Sequence, residues 1–305
     1  MQTVIWRIRD GKPGHENQTL GLVNALRDLT PIETFDLPAP RRSQCLQWWF
    51  AKKFPPGNLL PPPQLILGAG HSTHLTVLAA RRRFGGKAVV LMKPSLPYWL
   101  FDLSIVPRHD GPAEAANVVL TRGVLNLVAP SQKQEPGQGL ILIGGPSSAY
   151  GWSNPSILEQ IDAVVSSQLM VKWNLTTSRR TPTEFLKLLK AQQRPNLTVV
   201  PQKETGPNWV PNQLASASQV WVSEDSVSMV YEALTSGARV GLLEVPRIRS
   251  GRVARGVQEL KDMGWITRFA DWNRGGPLPS PKHQLHESAR CAGLIVERFR
   301  LPQAA

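Results

Sequence analysis

The sequence has little cysteine and no long hydrophobic run. Its two cysteines, Cys45 and Cys291, lie far apart and lack the spacing of metal ligands, which argues against a disulfide framework and a zinc site. No stretch of about 18 apolar residues occurs, so we expect no transmembrane helix. The first apolar run is short and contains Arg7 and Arg9, unlike a signal peptide. We therefore expect a cytoplasmic protein whose membrane contact, if any, is peripheral and on the inner face.

Acidic residues are also scarce. The 305 residues include 22 Asp and Glu against 35 Lys and Arg, which gives a net charge of +13. Such a balance favours anionic partners, namely nucleotide phosphates, anionic lipid or nucleic acid. No recognisable nucleic-acid-binding module is present, so we do not expect nucleic acid as a partner. No Asp-x-Asp motif follows a predicted strand, so we expect neither a metal ion nor a cofactor.

Strand-like apolar runs alternate with helical segments along the chain, which predicts parallel sheets covered by helices. Strands are predicted at residues 3–8, 64–67, 87–92, 103–106, 117–120, 140–143, 169–174, 197–200, 219–222 and 239–243. Helices are predicted at residues 16–29, 43–54, 72–84, 156–167, 182–192, 257–263 and 283–299, with one more between residue 226 and Gly237. The sequence therefore predicts an α/β fold.

The chain length favours two domains. Residues 131–139 form a polar Pro/Gly/Gln segment, which predicts a linker between an N-terminal domain (1–130) and a C-terminal domain (140–282). The last helix, within 283–305, is expected to pack back on the N-terminal domain. Two Rossmann-like domains joined in this way face each other across a cleft, as in the GT-B architecture, and ligands bind at the carboxyl ends of such sheets.

The segment Gln219–Pro246 carries the clearest pattern in the chain. A strand leads into the polar loop Ser223–Ser226, and the helix that follows has two faces. One face repeats at three- and four-residue steps and is expected to pack on a core; it consists of Val227, Val230, Tyr231 and Leu234. The other face is mostly polar and consists of Asp225, Ser228, Met229 and Glu232.

The polar face lies near a helix N-terminus, where backbone N–H groups suit phosphate. Glu232, about two turns into the helix, can reach the hydroxyls of a ribose. In a group-transfer reaction such a site would bind the phosphate-containing substrate that donates the group. The candidates in this segment for binding that donor substrate are Asp225, Ser226, Ser228 and Glu232.

A second polar segment, Asp10–Gln18, follows the first strand and opens the first helix. The helix dipole disfavours the charged form of an imidazole at this end, so a neutral His15 is a candidate general base for an acceptor hydroxyl. An ordinary strand-to-helix turn with a solvated histidine is the alternative. The candidates on this acceptor side are Asp10, Lys12, Gly14 and Asn17.

Two further turns after strands contain histidine. In Gly68–His74, His71 is an acceptor-side candidate, and a tight turn of purely structural role is equally consistent with the glycines. In Pro107–Asp110, Asp110 beside His109 is a candidate acid or base, or alternatively a helix cap.

In the C-terminal domain the first turn is rich in small residues. Gly144, Gly145 and Ser147 are candidates for cradling a diphosphate with free N–H groups. After the next strand, Ser178 and Arg179 are candidates for phosphate contacts, because a guanidinium binds phosphate oxygens in pairs. A capped helix start is the alternative for Ser178.

Two basic segments are candidates for other contacts. The aromatic stretch Leu46–Phe50 beside Lys52 and Lys53 suits an interfacial membrane contact, with core packing of the same aromatics as the alternative. Arg247, Arg249, Arg252 and Arg255 form a basic run that suits an anionic acceptor or lipid headgroups, with a solvated loop as the alternative.

Three phrases, at residues 10–22, 176–182 and 223–240, resemble the bacterial branch of the "elongated mitochondria" mitochondrial-fission protein family. The resemblance spans the chain from Ile5 to about Gly264. Plant members of that family act in mitochondrial fission, by recruiting a dynamin-related protein. Their fold is similar to GT-B enzymes such as the lipid-linked N-acetylglucosaminyl transferase of peptidoglycan synthesis.

The resemblance implies roles by position. Gly14 and His15 correspond to the acceptor-side turn of such transferases, Gly144 and Gly145 to the turn that meets the donor diphosphate, and Glu232 to the ribose ligand. The chain departs from the transferase pattern at Ser223–Ser226, where a Gly-rich turn is expected.

The sequence leaves three hypotheses for function. The first is a metal-independent glycosyltransferase with a nucleotide-sugar donor and a lipid-linked or envelope glycan acceptor. The second is a non-catalytic, membrane-associated adaptor on the same fold. The third is a sugar-nucleotide 2-epimerase, which shares the architecture.

Overall fold

The computed structural model describes residues 2–249, 252–281 and 283–303, without the side chains of residues 252–255. The chain forms two compact units. The first consists of Met1–Leu127 together with Glu287–Ala305, and the second of Val128–His286. Each has its own sheet and its own hydrophobic core.

The first unit contains a six-stranded parallel sheet. Its strands are β1 (Thr3–Arg9), β2 (Ile32–Pro38), β3 (Leu65–Ala69), β4 (Lys87–Leu91), β5 (Leu103–Pro107) and β6 (Val118–Thr121). Its first helices are α1 (Pro13–Arg27), α2 (Arg42–Ala51) and α3 (His74–Phe84). The strand order is β2-β1-β3-β4-β5-β6, with every described pair parallel.

Alternate residues of these strands face opposite helical layers, because successive side chains of a strand point to opposite faces. Ile5 and Leu67 pack in one core with α1. Trp6 and Ile66 pack in the other core with α3. Both faces of the inner strands are covered, so β3, β4 and β5 are mostly apolar, as is typical of parallel sheets.

The second unit repeats this plan. Its strands are β7 (Glu135–Leu142), β8 (Lys172–Thr176), β9 (Leu197–Val200), β10 (Ala217–Ser223), β11 (Arg239–Leu243) and β12 (Thr267–Arg268). Its helices are α4 (Asn154–Ser167), α5 (Thr183–Ala191), α6 (Trp209–Ser216), α7 (Val227–Ser236) and α8 (Arg252–Asp262). The parallel sheet has the order β12-β11-β10-β7-β8-β9.

The last helix, α9 (Glu287–Phe299), belongs to the first unit. Its buried residues Cys291, Ala292 and Ile295 share a core with Leu22 and Leu26 of α1. The first unit is therefore built from both ends of the chain.

The structure corrects the sequence prediction in four places. β2 was not predicted; it is an edge strand of alternating exposure, and it contains Glu33 and Asp36. β7 begins at Glu135, so residues 135–139 of the predicted linker belong to a strand, because their backbone pairs with β10 and β8. α6 and the two-residue β12 were also not predicted.

Two Rossmann-like α/β units with parallel sheets confirm the predicted fold class. Among the described helices, none is both long and apolar enough to span a membrane.

Candidate functional site

Each sheet has one point where the strand order reverses, and ligands of open α/β sheets bind beside such points. In the first unit the reversal lies between β1 and β3, so the loops after these two strands lie next to each other. They bring together Asp10, His15 and Ser72, which form the candidate acceptor side.

Asp10 makes hydrogen bonds to the other residues of this group. Its side chain is almost fully buried, and its Oδ2 lies 2.8 Å from Nδ1 of His15. Ser72 Oγ donates to the same oxygen at 2.5 Å, and the Lys12 N–H donates to Oδ1 at 3.2 Å. Burial raises the pKa of the Asp10 carboxyl, but these hydrogen bonds outweigh burial and hold the pKa below its ordinary value.

The hydrogen bond sets the tautomer of His15. An ionised carboxylate only accepts, so Nδ1 of His15 carries the hydrogen and Nε2 keeps its lone pair in the neutral ring. The His15 side chain is partly exposed, at 18%. The arrangement can therefore take up a proton at Nε2, with the new charge compensated by Asp10.

Gly70 makes room for the imidazole. Its φ is +76°, and a Cβ on this residue would lie 2.2 Å from Cε1 of His15. Only glycine combines this backbone conformation with so close an approach.

The other acceptor-side candidates do not join the hydrogen-bonded group around Asp10 through their side chains. Lys12 is the exposed N-cap residue of α1, and its contact with Asp10 is made by its backbone. His71 is exposed, and the neighbouring Ser72, which sequence analysis did not single out, makes the contact instead. Gly14 and Asn17 are exposed positions of α1.

Asp110 lies in a short helical turn after β5 and is half-buried. Burial raises the pKa of Tyr98, and the charge of Asp110 adds to this shift. The carboxylate that contacts His15 Nδ1 is that of Asp10.

In the second unit the strand order reverses between β7 and β10. The loop after β10 contains Asp225, whose side chain is fully buried. Asp225 Oδ2 accepts hydrogen bonds from the N–H of Gly145 at 2.9 Å and from Nη2 of Arg180 at 2.8 Å. Asp225 therefore joins the loops that follow β7, β8 and β10.

The glycine turn after β7 is fixed by the same loops. The Gly144 N–H donates to Ser223 Oγ at 2.7 Å, and its carbonyl accepts from Ser178 Oγ at 2.9 Å and from Thr181 Oγ1. A Cβ on Gly144 would lie 2.1 Å from an oxygen of Asp225.

These contacts correct the prediction of a diphosphate cradle. Both glycine N–H groups already donate to protein oxygens, so Gly144 and Gly145 provide close packing of the loop rather than free donors. Ser147 likewise serves its own turn, since its Oγ accepts from the N–H groups of Ala149 and Tyr150.

The two arginines after β8 have different roles. Arg180, which sequence analysis did not select, pairs with Asp225 and donates through Nη1 to the carbonyls of Gly145 and Pro146. Arg179 is exposed.

Arg179 lines a pocket of about 420 Å³ at the carboxyl ends of β8 and β9. The pocket combines hydroxyl groups with two cations. Its polar lining consists of Thr177, Ser178, Arg179, Thr181, Thr183, Gln202 and Lys203. The hydroxyls of Ser178 and Thr181 already donate to the Gly144 carbonyl, so the two cations are the groups of this pocket that suit a phosphate.

The structure keeps only part of the polar face predicted for α7. Asp225 is fully buried before the helix begins, and Met229 packs partly against the core. Ser226 is the N-cap residue, and its side chain makes no capping hydrogen bond within the described part of the chain. Ser228 is exposed and Glu232 is half-buried. Burial raises the pKa of the Glu232 carboxyl to about 7. Val230, Tyr231 and Leu234 face the core, as expected.

The arginines of the basic run after β11 have different surroundings. Arg247 lies 3.7 Å from the buried carboxylate of Glu224, whereas Arg249 is exposed. The side chains of Arg252 and Arg255 lie outside the described residues.

Comparison with known proteins gives a relative that covers most of the chain and solved structures of similar fold that cover nearly all of it. A protein of Rickettsia prowazekii (strain Madrid E), uncharacterized protein RP120, is 23% identical over 301 residues, which cover 81% of this chain and 84% of that protein. The UDP-GlcNAc 2-epimerase from Neisseria meningitidis, solved bound to UDP-GlcNAc, has a TM-score of 0.56 and 10% identity, with 98% of this chain and 100% of that chain covered.

A UDP-glucosyltransferase from Polygonum tinctorium, solved with 3,4-dichloroaniline, has a TM-score of 0.50 and 11% identity, with 98% of this chain and 90% of that chain covered. At these identities the likeness concerns the fold, which is that of GT-B glycosyltransferases and epimerases. The family model described as mitochondrial fission ELM1 matches residues 13–299. The chain therefore belongs to the mitochondrial fission ELM1 family.

Proposed function

We propose that the protein is a metal-independent glycosyltransferase with a nucleotide-sugar donor and a lipid-linked or envelope glycan acceptor. The observation that carries the proposal is the hydrogen bond between Asp10 and His15 at the strand-order reversal of the first unit. A buried, ionised carboxylate behind an imidazole suits general-base catalysis on a hydroxyl, because it orients the ring and compensates the charge that the ring gains.

In the proposed reaction, Nε2 of His15 takes the proton of the acceptor hydroxyl. The hydroxyl oxygen forms a bond to the anomeric carbon of the donor sugar, and the bond from that carbon to the diphosphate oxygen breaks. Asp10 stabilises the resulting imidazolium and keeps the ring in its orientation.

The second unit would bind the donor. Arg179 and Lys203 of the 420 Å³ pocket are the proposed diphosphate contacts, because two cations there offset the charge of the leaving nucleoside diphosphate. Ser178 lines the same pocket, but its hydroxyl already donates to the Gly144 carbonyl. Ser226 and Ser228 at the start of α7 add hydroxyl groups, and Glu232 is the proposed ribose ligand. With its pKa raised to about 7, Glu232 can accept from a ribose hydroxyl when ionised and donate to one when protonated.

A 2-epimerase is the second candidate, because an epimerase is among the solved structures with the same fold. That reaction removes and returns the proton at C2 of the sugar, so incubation of the nucleotide sugar alone in deuterated water would introduce deuterium at C2. Transfer would not. Membership of the mitochondrial fission family also supports the hypothesis of a non-catalytic adaptor. Such an adaptor would not need to bind a nucleotide.

Calorimetry with UDP and other nucleoside diphosphates tests the donor site. Arg179→Ala is expected to weaken binding about tenfold or more, because a hydrogen bond to a charged group contributes roughly 1.5–3 kcal/mol. Lys187→Ala removes an exposed cation of α5 that does not line the pocket, and it is the matched control. His15→Gln should retain UDP binding and lose transfer.

Two results would contradict the proposal. If the unaltered protein bound no nucleoside diphosphate, both enzyme hypotheses would fail and the adaptor would remain. If Arg179→Ala and Lys187→Ala weakened binding equally, the pocket would not be the donor site.

A further inference from the structure

An apolar groove lies on the first unit between α2, α3 and the turn Tyr98–Leu100. It has a volume of about 510 Å³. Its lining is mostly apolar and includes Leu46, Trp49, Phe50, Leu96, Trp99 and Arg82. Three of these side chains are strongly exposed: Phe50 at 72%, Trp99 at 78% and Leu46 at 43%.

The exposed aromatics are not part of the core. Trp48 and Trp49 pack partly against the core below the groove, and Trp48 meets Phe54 edge to face at 5.5 Å. Phe50 and Trp99 extend beyond it into solvent. Apolar side chains clustered and exposed in this way mark a contact surface.

The chain segment that forms the groove is strongly cationic. From Leu37 to Phe101 the sequence contains nine Lys and Arg residues and no Asp or Glu. The guanidinium of Arg82 lies 4.3 Å from the ring centroid of Trp49. Arg81 also lines the groove, and it pairs at 3.0 Å with Asp102, just beyond this segment.

We propose that this groove docks the protein on an anionic lipid bilayer. Aromatic rings lie favourably at the level of the headgroups, and cations beside them attract anionic lipid. A second copy of the chain is a poor occupant, because a self-complementary contact would place the cationic segment against itself. Docking on the bilayer does not depend on the proposed function. Its role, which is to give the protein access to a lipid-linked acceptor, rests on that function.

Cosedimentation with vesicles tests the groove. The protein should bind vesicles of phosphatidylcholine with phosphatidylglycerol, and bind less as salt rises or when phosphatidylglycerol is left out. The double variant Phe50→Ser/Trp99→Ser should lower binding roughly tenfold or more. The matched control is Leu169→Ser/Met170→Ser, which removes two exposed apolar residues of the second unit, at 69% and 91% exposure. It should bind as the unaltered protein does.

The charge is tested separately. Arg82→Gln should lower binding to the anionic vesicles about fivefold, since each cation near such a surface contributes about that factor. Lys133→Gln removes an exposed cation of the second unit and should have no such effect.

A second measurement keeps Trp99 and replaces only Phe50. Both native cysteines are buried, so a polarity-sensitive dye on Phe50→Cys should shift to the blue with anionic vesicles, and the same dye on Met170→Cys should not. Equal shifts at the two sites, or vesicle binding unchanged in Phe50→Ser/Trp99→Ser, would overturn the proposal. The proposal would also be overturned if light scattering showed a dimer that Phe50→Ser/Trp99→Ser abolished and Leu169→Ser/Met170→Ser did not.

UDP binding separates this inference from the proposed function. Phe50→Ser/Trp99→Ser should bind UDP normally, and Arg179→Ala should bind vesicles normally. Failure of one proposal therefore leaves the other open to its own test.

Discussion

At the level of single residues, the position of His15 depends on the absence of a side chain at residue 70. A Cβ there would overlap the imidazole, and the backbone is in the left-handed region. Gly11 has nearly the same φ, +77°, but nothing lies within 4 Å of a Cβ built on it. The two glycines thus separate backbone strain from contact with the ring.

We predict that Gly70→Ala lowers the free energy of unfolding more than Gly11→Ala does. The left-handed conformation costs roughly 1–2 kcal/mol for alanine in both variants, and the overlap with His15 adds to this cost only at residue 70. Urea unfolding gives the two values, and ¹⁵N shifts of the imidazole report whether the hydrogen bond to Asp10 is kept. Equal destabilisation, with unchanged imidazole shifts in both variants, would show that Gly70 does not position His15.

A second residue-level feature is the buried imidazole of His74. Burial lowers its pKa to about 4, with smaller contributions from the charges of His71 and Arg42. Its Nδ1 lies 3.3 Å from Ser95 Oγ, whereas Nε2 has no hydrogen-bond partner among the described residues. The folded protein therefore keeps this ring neutral where the unfolded chain protonates it.

We predict that His74 lowers the stability of the protein as the pH falls from about 6.5 to about 4. Between these values the unfolded state binds more protons, so stability rises with pH. The difference in pKa corresponds to about 3 kcal/mol. His74→Asn should flatten this part of the profile in urea unfolding at a series of pH values. His283→Gln alters an exposed histidine and should not; an unchanged profile in His74→Asn would contradict the prediction.

At the level of elements, buried strands were predictable and edge strands were not. β1, β4 and β11 are buried on both faces over most of their length, so their sequences are mostly apolar and distinctive. β2 pairs with one neighbour and alternates half-buried with exposed residues. The first part of β7 is exposed and contains Pro136 and Gly137, and only its partners in the sheet make it a strand.

The candidate site was predictable where its residues are close in sequence. Asp10 and His15 are joined by one turn from β1 to α1, so a single polar segment contains both. Ser72 reaches Asp10 from the other side of the strand-order reversal, and Arg180 reaches Asp225 from another loop. Such contacts depend on which loops the sheet brings together, which no local pattern encodes.

The loops of the second unit also explain why Asp225-Ser226 can stand where a Gly-rich turn was expected. At the point where the strand order reverses, the buried Asp225 carboxylate links the neighbouring loops, because it accepts hydrogen bonds from Arg180 and from the Gly145 N–H. A fixed framework of this kind leaves the neighbouring pocket at Arg179 and the start of α7 as the surfaces that remain for a ligand.

At the level of the whole molecule, the chain leaves the first unit after Leu127 and returns to it at Glu287. Ile295 of α9 is fully buried in the core that contains Leu26 of α1. Ile161 of α4 is fully buried in the second unit. Truncation of either side chain leaves a cavity of similar chemistry in a different unit.

We predict that Ile295→Ala destabilises the first unit selectively, although residue 295 lies near the C-terminus. Loss of a buried isoleucine to alanine costs roughly 2–5 kcal/mol. Hydrogen exchange measured by mass spectrometry should show lower protection in peptides from α1 and little change in peptides from α5, whose Phe185 and Leu189 share a core with Ile161. Ile161→Ala should give the reverse pattern. If both variants lowered protection equally throughout the chain, the two units would unfold as one cooperative body, and the division into separate cores would not extend to their stability.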